Sequence, residues 1–538
     1  MGIFAWLVLR HGQNIPYWDD YEAGLRAMSR LLAQRDWFAF FFEPNNEHII
    51  ATTRLVFLLD YLLTGQLDFR VVQWIGNLYL LGLLGLLGWH QSRQPDGHWS
   101  WLPLASLLLF TPRIYDSSLW AMAATSNYGV LFFSFLSFLL IDPRHGRRGV
   151  AAAAAAGVAA FLCQANGLFC LGLLTLWLVS QRRWRAGLCL GLTALGCVLA
   201  YMLIHQHFGT RTTESQSLAL ALQQPGQALR FGLMFLGSLL PAAKPALALG
   251  AVLLAGVALA LRQGIHRHTP FLFLCIALIL SSAAATAFNR LVMGIDSALS
   301  SRYAINSALL AGLLLCHFLN RITLRNWQFL LLLLVGSGVY GAIVWRIQPE
   351  IEQRHRANAT LHAASVACRP RFNHYSPELA AAILREADRR GLYQWREPAA
   401  LDGGCPERQI TLLVGQTPQA VASDYGGSLD RLTVEQHSVT AEGWLDLPDS
   451  AAAPRLYVAL PTAPLEVVQQ RLERADVAAL LGEDRSSAGF SLRLRFADVE
   501  QANAAARSLC LGFAAADSPV RLLRGTADCS AYLIKGRK

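Results

Sequence analysis

The chain has 538 residues, of which 54% are hydrophobic and only 15% charged, with a mean hydropathy of +0.34. A soluble domain carries about 25% charged residues, so this composition excludes an ordinary soluble enzyme and predicts a polytopic membrane protein with a soluble part attached. The net charge of +10 does not imply nucleic acid: no RNP, zinc-knuckle or helix-turn-helix pattern accompanies it, and much of the excess sits in short loops between apolar runs.

In chain order, "MGIFAWLVL" comes first. Nine residues of helix cover about 14 Å, against about 30 Å of membrane core. Either a helix begins before this sequence does, or the segment does not span. It lacks the basic stretch and small-residue cleavage site of a signal peptide. Ten further apolar runs are predicted to span: 70–90, 99–115, 118–141, 149–163, 165–180, 186–206, 245–261, 270–288, 304–320 and 326–346. With the first segment they make about 11 membrane helices over residues 1–346.

The loops between these runs alternate in charge. Among the short loops, Arg93, Arg144, Arg147, Arg148, Arg182, Arg183, Arg185, Arg262, Arg267, Arg321 and Arg325 fall in one set, and Arg113, Arg211, Arg290 and Arg302 in the other, with Arg230 and Lys244 near a helix boundary. The richer set is predicted to be cytoplasmic. Residues 11–69, 207–230, 289–303 and everything after about 347 then face outward. In the long outer loop 11–69, apolar stripes at 25–42 and 49–63 read as helices lying on the membrane. The run "ALRFGLMFLGSLL", between Pro225 and Pro241, reads as another.

After 346 the composition changes. Residues 347–407 read as a helical linker, with a helix at 376–391 capped by Ser376, led by Pro377 and ended by Gly391. Residues 408–538 read as a mostly β domain outside the membrane, with strands in "RQITLLVG", "RLYVALP", "GFSLRLRF", "RSLCLGF" and "SAYLIKG" and a helix at 466–482. Cys163, Cys170, Cys189, Cys197, Cys275 and Cys316 lie in apolar runs and read as small core residues. Cys368, Cys405, Cys510 and Cys529 lie in the polar part, where an oxidising compartment permits two disulfides.

Five stretches have side chains that can do chemistry. In "YWDDYE", Tyr17, Trp18 and Tyr21 suit an aromatic interfacial belt. Asp19 and Asp20 are costly in that setting; one can serve as a general base while the other binds a metal or orients an acceptor. In "EPNNEHIIATTR", Asn45 or Asn46 suits a helix cap and Glu47 the helix dipole. Alternatively, Glu47 and His48 face the same cavity as the aspartates. In "FNRLVMGIDSALSSRYAIN", Arg290 and Arg302 either snorkel to headgroups or bind a lipid-linked phosphate bidentately. Asn127 and Asn166, in "WAMAATSNYGV" and "CQANGLF", either bond across helices or line a substrate cavity. No P-loop, GxSxG, HExxH or dinucleotide fingerprint occurs in a proper context.

At these residues the chain resembles the GT-C superfamily of polytopic glycosyltransferases, which includes protein O-mannosyltransferases and the aminoarabinose transferase of lipid A. It is more closely similar to a group of bacterial GT-C-like proteins with WDEW, HNEHR, ANG and SRY elements. The counterparts are Trp18-Asp19-Asp20-Tyr21, Asn46-Glu47-His48, Ala165-Asn166-Gly167, Gly294 and Ser301-Arg302-Tyr303. "EGWLDLPDS" (442–450) looks like the start of a β domain that some of them carry. Two departures stand out: "DE" is "DD" here, and the arginine after His48 is absent, with Arg54 nearby.

The resemblance implies an inverting sugar transfer from a polyprenyl-phosphate donor to a hydroxyl of a glycan, lipid or protein, on the outer face of a bacterial inner membrane. It implies Asp19 as the base, with Asp20 and Glu47 orienting the acceptor or binding a divalent cation such as Mg or Mn. Arg302, with Arg290, would hold the leaving phosphate, and His48, Tyr303 and Asn166 would join the substrate site. No nucleotide site is needed, because the donor is lipid-linked. A surface-polysaccharide polymerase or lipid-phosphate transferase would use the same face. A flippase or transporter fits less well, because the charges gather at helix ends rather than at the bilayer midplane.

Overall fold

The computed structural model describes the chain except for residues 95–98, 100, 210–213, 323–324, 368–376, 395–409, 415–420, 447–454, 473–488, 515–519 and 526–538. It divides into two compact units, Met1–Pro398 and Ala399–Lys538.

The first unit is helical. Among the described residues, eight of its helices are long and apolar enough to cross a membrane: Phe69–Ser92, Ala121–Leu140, Pro143–Cys163, Trp184–Phe208, Ala243–Arg262, Pro270–Met293, Ser301–Leu319 and Asn326–Asn358. This is the make-up of a multi-pass membrane protein. Three of the eleven expected spans are shorter helices. Gly2–His11 has ten residues. Trp101–Leu109 has nine; it stops where Thr111 caps a 3-10 turn begun by Pro112, and a proline has no N–H to continue a helix. Gly167–Ser180 has fourteen, about 21 Å. Asn326–Ala367, in contrast, runs for 42 residues through Pro349, about twice the thickness of a membrane core.

The long loop of residues 11–69 folds into short helices. A π-helical turn at Tyr21–Arg26 continues into Ala27–Gln34, and Trp37–Phe42 and Ala51–Thr64 follow. Pro225 leads the helix Pro225–Leu236. Residues of the expected linker pack on this loop. Ala380, Leu384, Leu392 and Tyr393 share a buried cluster with Tyr21, Leu25, Met28, Phe57 and Phe69. The Leu67 N–H donates to the Leu392 carbonyl at 2.7 Å, and the Tyr393 hydroxyl to the Asn14 carbonyl at 2.6 Å. The helix Pro377–Arg389 therefore belongs to the first unit; Ser376, its expected cap, lies outside the described residues.

In the second unit, β1 (Ile410–Val414), β2 (Val421–Glu435), β3 (Ser438–Leu445), β4 (Arg455–Leu460), β5 (Glu466–Leu472), β6 (Gly489–Arg495), β7 (Cys510–Ala514) and β8 (Val520–Arg524) form one sheet. Its order is β1-β4-β7-β8-β2-β3-β6-β5. The β1–β4 and β2–β8 pairs are parallel and the others antiparallel. Alternating residues of β3 and β6, such as Val439, Ala441, Phe490, Leu492 and Leu494, are buried with Ala502 and Ala505 of the helix Val499–Ser508. The helix expected from residue 466 is a strand over 466–472 instead; residues 473–482 lie outside the described set. There β5 completes its hydrogen bonds along the whole of β6, from Glu466–Arg495 to Leu472–Gly489, and strand pairing overrides the weak helical pattern of "EVVQQRL". Cys510 on β7 is disulfide-bonded. Cys368, Cys405 and Cys529, like the strand expected in "SAYLIKG", lie outside the described residues. The six cysteines of the apolar runs are free thiols.

Candidate functional site

One cavity of about 190 Å³ gathers most of the singled-out residues of the first unit. Asp19, Glu47, His48, Asn127, Asn166, Arg290, Arg302 and Tyr303 line it. They are separated in sequence by up to 284 positions, from Asp19 to Tyr303.

The two aspartates part company. Trp18 takes a left-handed backbone, φ 47°, which is strained for a bulky side chain. Beyond this turn Asp19 is half-buried against the cavity, while Asp20 is wholly buried and does not line it. The Asp20 carboxylate accepts from the Met122 N–H at 2.8 Å and the Tyr17 N–H at 3.2 Å. It thus ties the loop to the start of the helix Ala121–Leu140. Burial pushes the Asp20 pKa up to about 8, against the pull of those two N–H groups. Burial also raises the pKa of Asp19, with Glu22 adding to the shift; the Arg302 charge and a hydrogen bond with Asn46 oppose it. A carboxylate facing a cavity with a raised pKa is a stronger base than a solvated one.

Asn45 and His48 exchange backbone hydrogen bonds of 2.8 and 3.0 Å, closing a tight turn with Asn46 at φ 52°. Asn46 and Glu47 sit at its tip and reach the cavity. The expected cap is absent: the following helix starts at Ala51 with Ile50 before it and no side-chain cap. Glu47 is ion-paired with Arg290, and its carbonyl accepts from the Tyr201 hydroxyl at 3.0 Å. Desolvation raises its pKa, but the charges of His48 and Arg290 outweigh this and hold it below the ordinary value. His48 Nε2 lies 3.7 Å from the Glu47 carboxylate, and its Nδ1 is buried without a hydrogen-bond partner. Burial lowers the His48 pKa despite the attraction of Glu47.

Arg302 lies in the 3-10 turn Ser301–Tyr303. Ser301 fixes that turn: its hydroxyl donates to the Arg113 carbonyl at 2.8 Å and accepts from the Asp116 N–H at 3.1 Å. The Arg302 guanidinium lies 5.1 Å from the centre of the Tyr303 ring, its Nε is buried without a partner, and it makes no ion pair with a described residue. Arg290 is neutralised by Glu47, so Arg302 is the cavity arginine left with charge to offer.

Gly167 starts its helix where a Cβ would fall 2.2 Å from the Ala160 backbone. Only glycine permits this abutment, which turns Gln164, Ala165 and Asn166 toward the cavity. Gln164 donates to Asn127 at 2.6 Å, and Asn127 to Ser117 at 3.1 Å. Arg54 does not join the site. It is buried beneath the helix Trp37–Phe42 and donates to the Phe40 carbonyl at 2.8 Å.

Sequence reasoning missed Ser282, Thr286, Asn289 and Asn306, all of which line the cavity. The first three recur at i, i+4 and i+7 on an otherwise apolar helix, a one-face polar stripe that periodicity alone could have exposed. It also missed Arg354, which pairs with Asp116 and stacks over Tyr17 at 4.0 Å. Of the two residues expected as cation ligands, Asp20 accepts from backbone N–H groups and does not line the cavity, while Glu47 lines it and is ion-paired with Arg290. Among the described residues no three His, Cys, Asp or Glu side chains converge as a metal-binding group.

The chain matches no known family model, no curated protein and no solved structure.

Proposed function

We propose that the chain is a membrane glycosyltransferase of GT-C type that transfers a sugar from a polyprenyl-phosphate donor to an acceptor hydroxyl on the outer face of the membrane. The observation that carries this reading is that the Asp19 carboxylate and the Arg302 guanidinium, which has no ion-pair partner among the described residues, line one cavity. Asp19 takes the proton of the acceptor hydroxyl. The hydroxyl oxygen bonds to the anomeric carbon as the bond from that carbon to the phosphate oxygen breaks, with inversion. The electron pair leaves on the phosphate, where Arg302 stabilises the growing charge. Glu47 tempers Arg290 and, with His48 and Asn46, borders the sugar. The amides of Asn127, Gln164, Asn166, Asn289 and Asn306 supply donors and acceptors for sugar hydroxyls, and Trp120 and Tyr303 supply aromatic surface.

Asp20 has a positioning role in this mechanism, because its carboxylate is consumed by backbone groups. A transporter reading lacks an equivalent observation.

The test is to incubate membranes containing the full chain with radiolabelled polyprenyl-phosphate monosaccharides and to compare cell-surface glycans by mass with and without the protein. A sugar-sized mass difference that disappears with Asp19→Asn supports the reading. Unchanged glycans together with no transfer from any such donor would sink it.

A further inference from the structure

A second hollow lies in the first unit, away from the Asp19 cavity and sharing no residue with it. It measures about 380 Å³ and lies between the helices Ala27–Gln34 and Pro377–Arg389, with Arg26, Arg30 and Arg390 on its walls. Small side chains open it: Ser29 and Ala33 on one helix and Ala382 on the other. We propose that this hollow binds a phosphate group, free or as the headgroup of an anionic lipid.

Two independent observations carry the assignment. The first is charge. Three arginines line the hollow against one carboxylate, Glu386. Arg30 is held by Glu43 at 2.6 Å, and Arg390 by Glu386 at 2.5 Å. These pairs hold two guanidiniums in place, while Arg26 is exposed and has no ion-pair partner among the described residues. The hollow therefore keeps a net positive charge, and planar guanidiniums suit phosphate oxygens. The second is Ser29, a residue of the hollow's wall that is only 4% exposed and whose buried hydroxyl has no hydrogen-bond partner. A buried hydroxyl without a partner is costly, and a phosphate oxygen in the hollow would supply one.

The hollow is formed by the docking of the helix Pro377–Arg389, so an occupant bridges that helix and the outer loop. This assignment does not depend on the sugar-transfer reading.

The experiment uses the full chain in nanodiscs of phosphatidylcholine. In one arm, binding of radiolabelled inorganic phosphate is measured by equilibrium dialysis. In the other, phosphatidic acid is added to the discs and its retention on the protein is measured by native mass spectrometry. One saturable site per chain is expected, weakened at least about tenfold by Arg26→Gln with Arg390→Gln and more mildly by Ser29→Ala. Binding of inorganic phosphate that the variants weaken supports a free phosphate; retention of phosphatidic acid alone, equally sensitive to the variants, supports a headgroup. Arg26→Gln alone leaves both ion pairs intact and serves if the double variant does not fold. No saturable binding in either arm, or binding that none of these substitutions weakens, would overturn the proposal.

Discussion

The helix Ala304–Leu319 joins two polar regions of opposite character. Near its start, Asn306 borders the cavity with Asp19, His48 and Arg302. Just beyond its end, Asn320 and Gln91 exchange amide hydrogen bonds of 3.0 and 2.9 Å, and His317 lies 3.1 Å from the Gln263 amide oxygen. Both regions place polar groups in an apolar bundle. At the Gln91 end donors meet acceptors directly, as interhelical bonds do. At the Asp19 end they surround a void, three nitrogens of its lining residues (on His48, Trp120 and Arg302) have no partner, and Trp18 and Asn46 hold left-handed backbones beside it. Buried polarity alone therefore does not mark a site; polarity left unsatisfied around a space does.

Five measurements break or sharpen this contrast. Asp19→Asn is expected to lower transfer by about 10²–10⁴-fold with folding intact; a variant that folds and keeps full activity would remove the base from the mechanism. Arg302→Ala is expected to cost about 10²–10³-fold, with donor use hit harder than acceptor use. An equal effect on the two substrates would count against a phosphate role.

The pH profile comes next. A base works only when deprotonated, and burial raises the Asp19 pKa. Activity should therefore rise with pH through a limb above the ordinary carboxylate value of about 3.9, and a limb at or below that value would contradict the burial. The smallest effects concern stability. Asp20→Ala strands two backbone N–H groups and should destabilise by about 1–3 kcal/mol in denaturation. Asp20 also has a folded pKa near 8. Its contribution is full below the unfolded value and fades as pH rises through 8. Asn320→Ala, at the other end of the bundle, should cost about 1 kcal/mol and leave transfer unchanged. Loss of activity there would mean that the two ends are coupled.

The membrane helices were legible because apolar runs of about 20 residues have few other destinies. The runs that fell short, at 101–109 and 167–180, stop at Pro112 and start at Gly167, and these are local signals readable in hindsight. Motif residues from Asp19 to Tyr303 could be named from sequence, but not their division of labour. Asp19 and Asp20 are chemically identical and adjacent; only the left-handed turn at Trp18 and the N–H groups of Met122 and Tyr17 send one to the cavity and the other into the core.

The sequence by itself determined a greasy helical unit followed by a β-rich one, because hydrophobic run length and strand pattern are local properties of the chain. Tertiary structure alone decided that Glu47 spends its charge on Arg290 while Arg302 keeps its own, and that the helix Pro377–Arg389 closes a basic hollow against the helix Ala27–Gln34. Pairing of charges depends on distances across hundreds of residues, which no local pattern encodes.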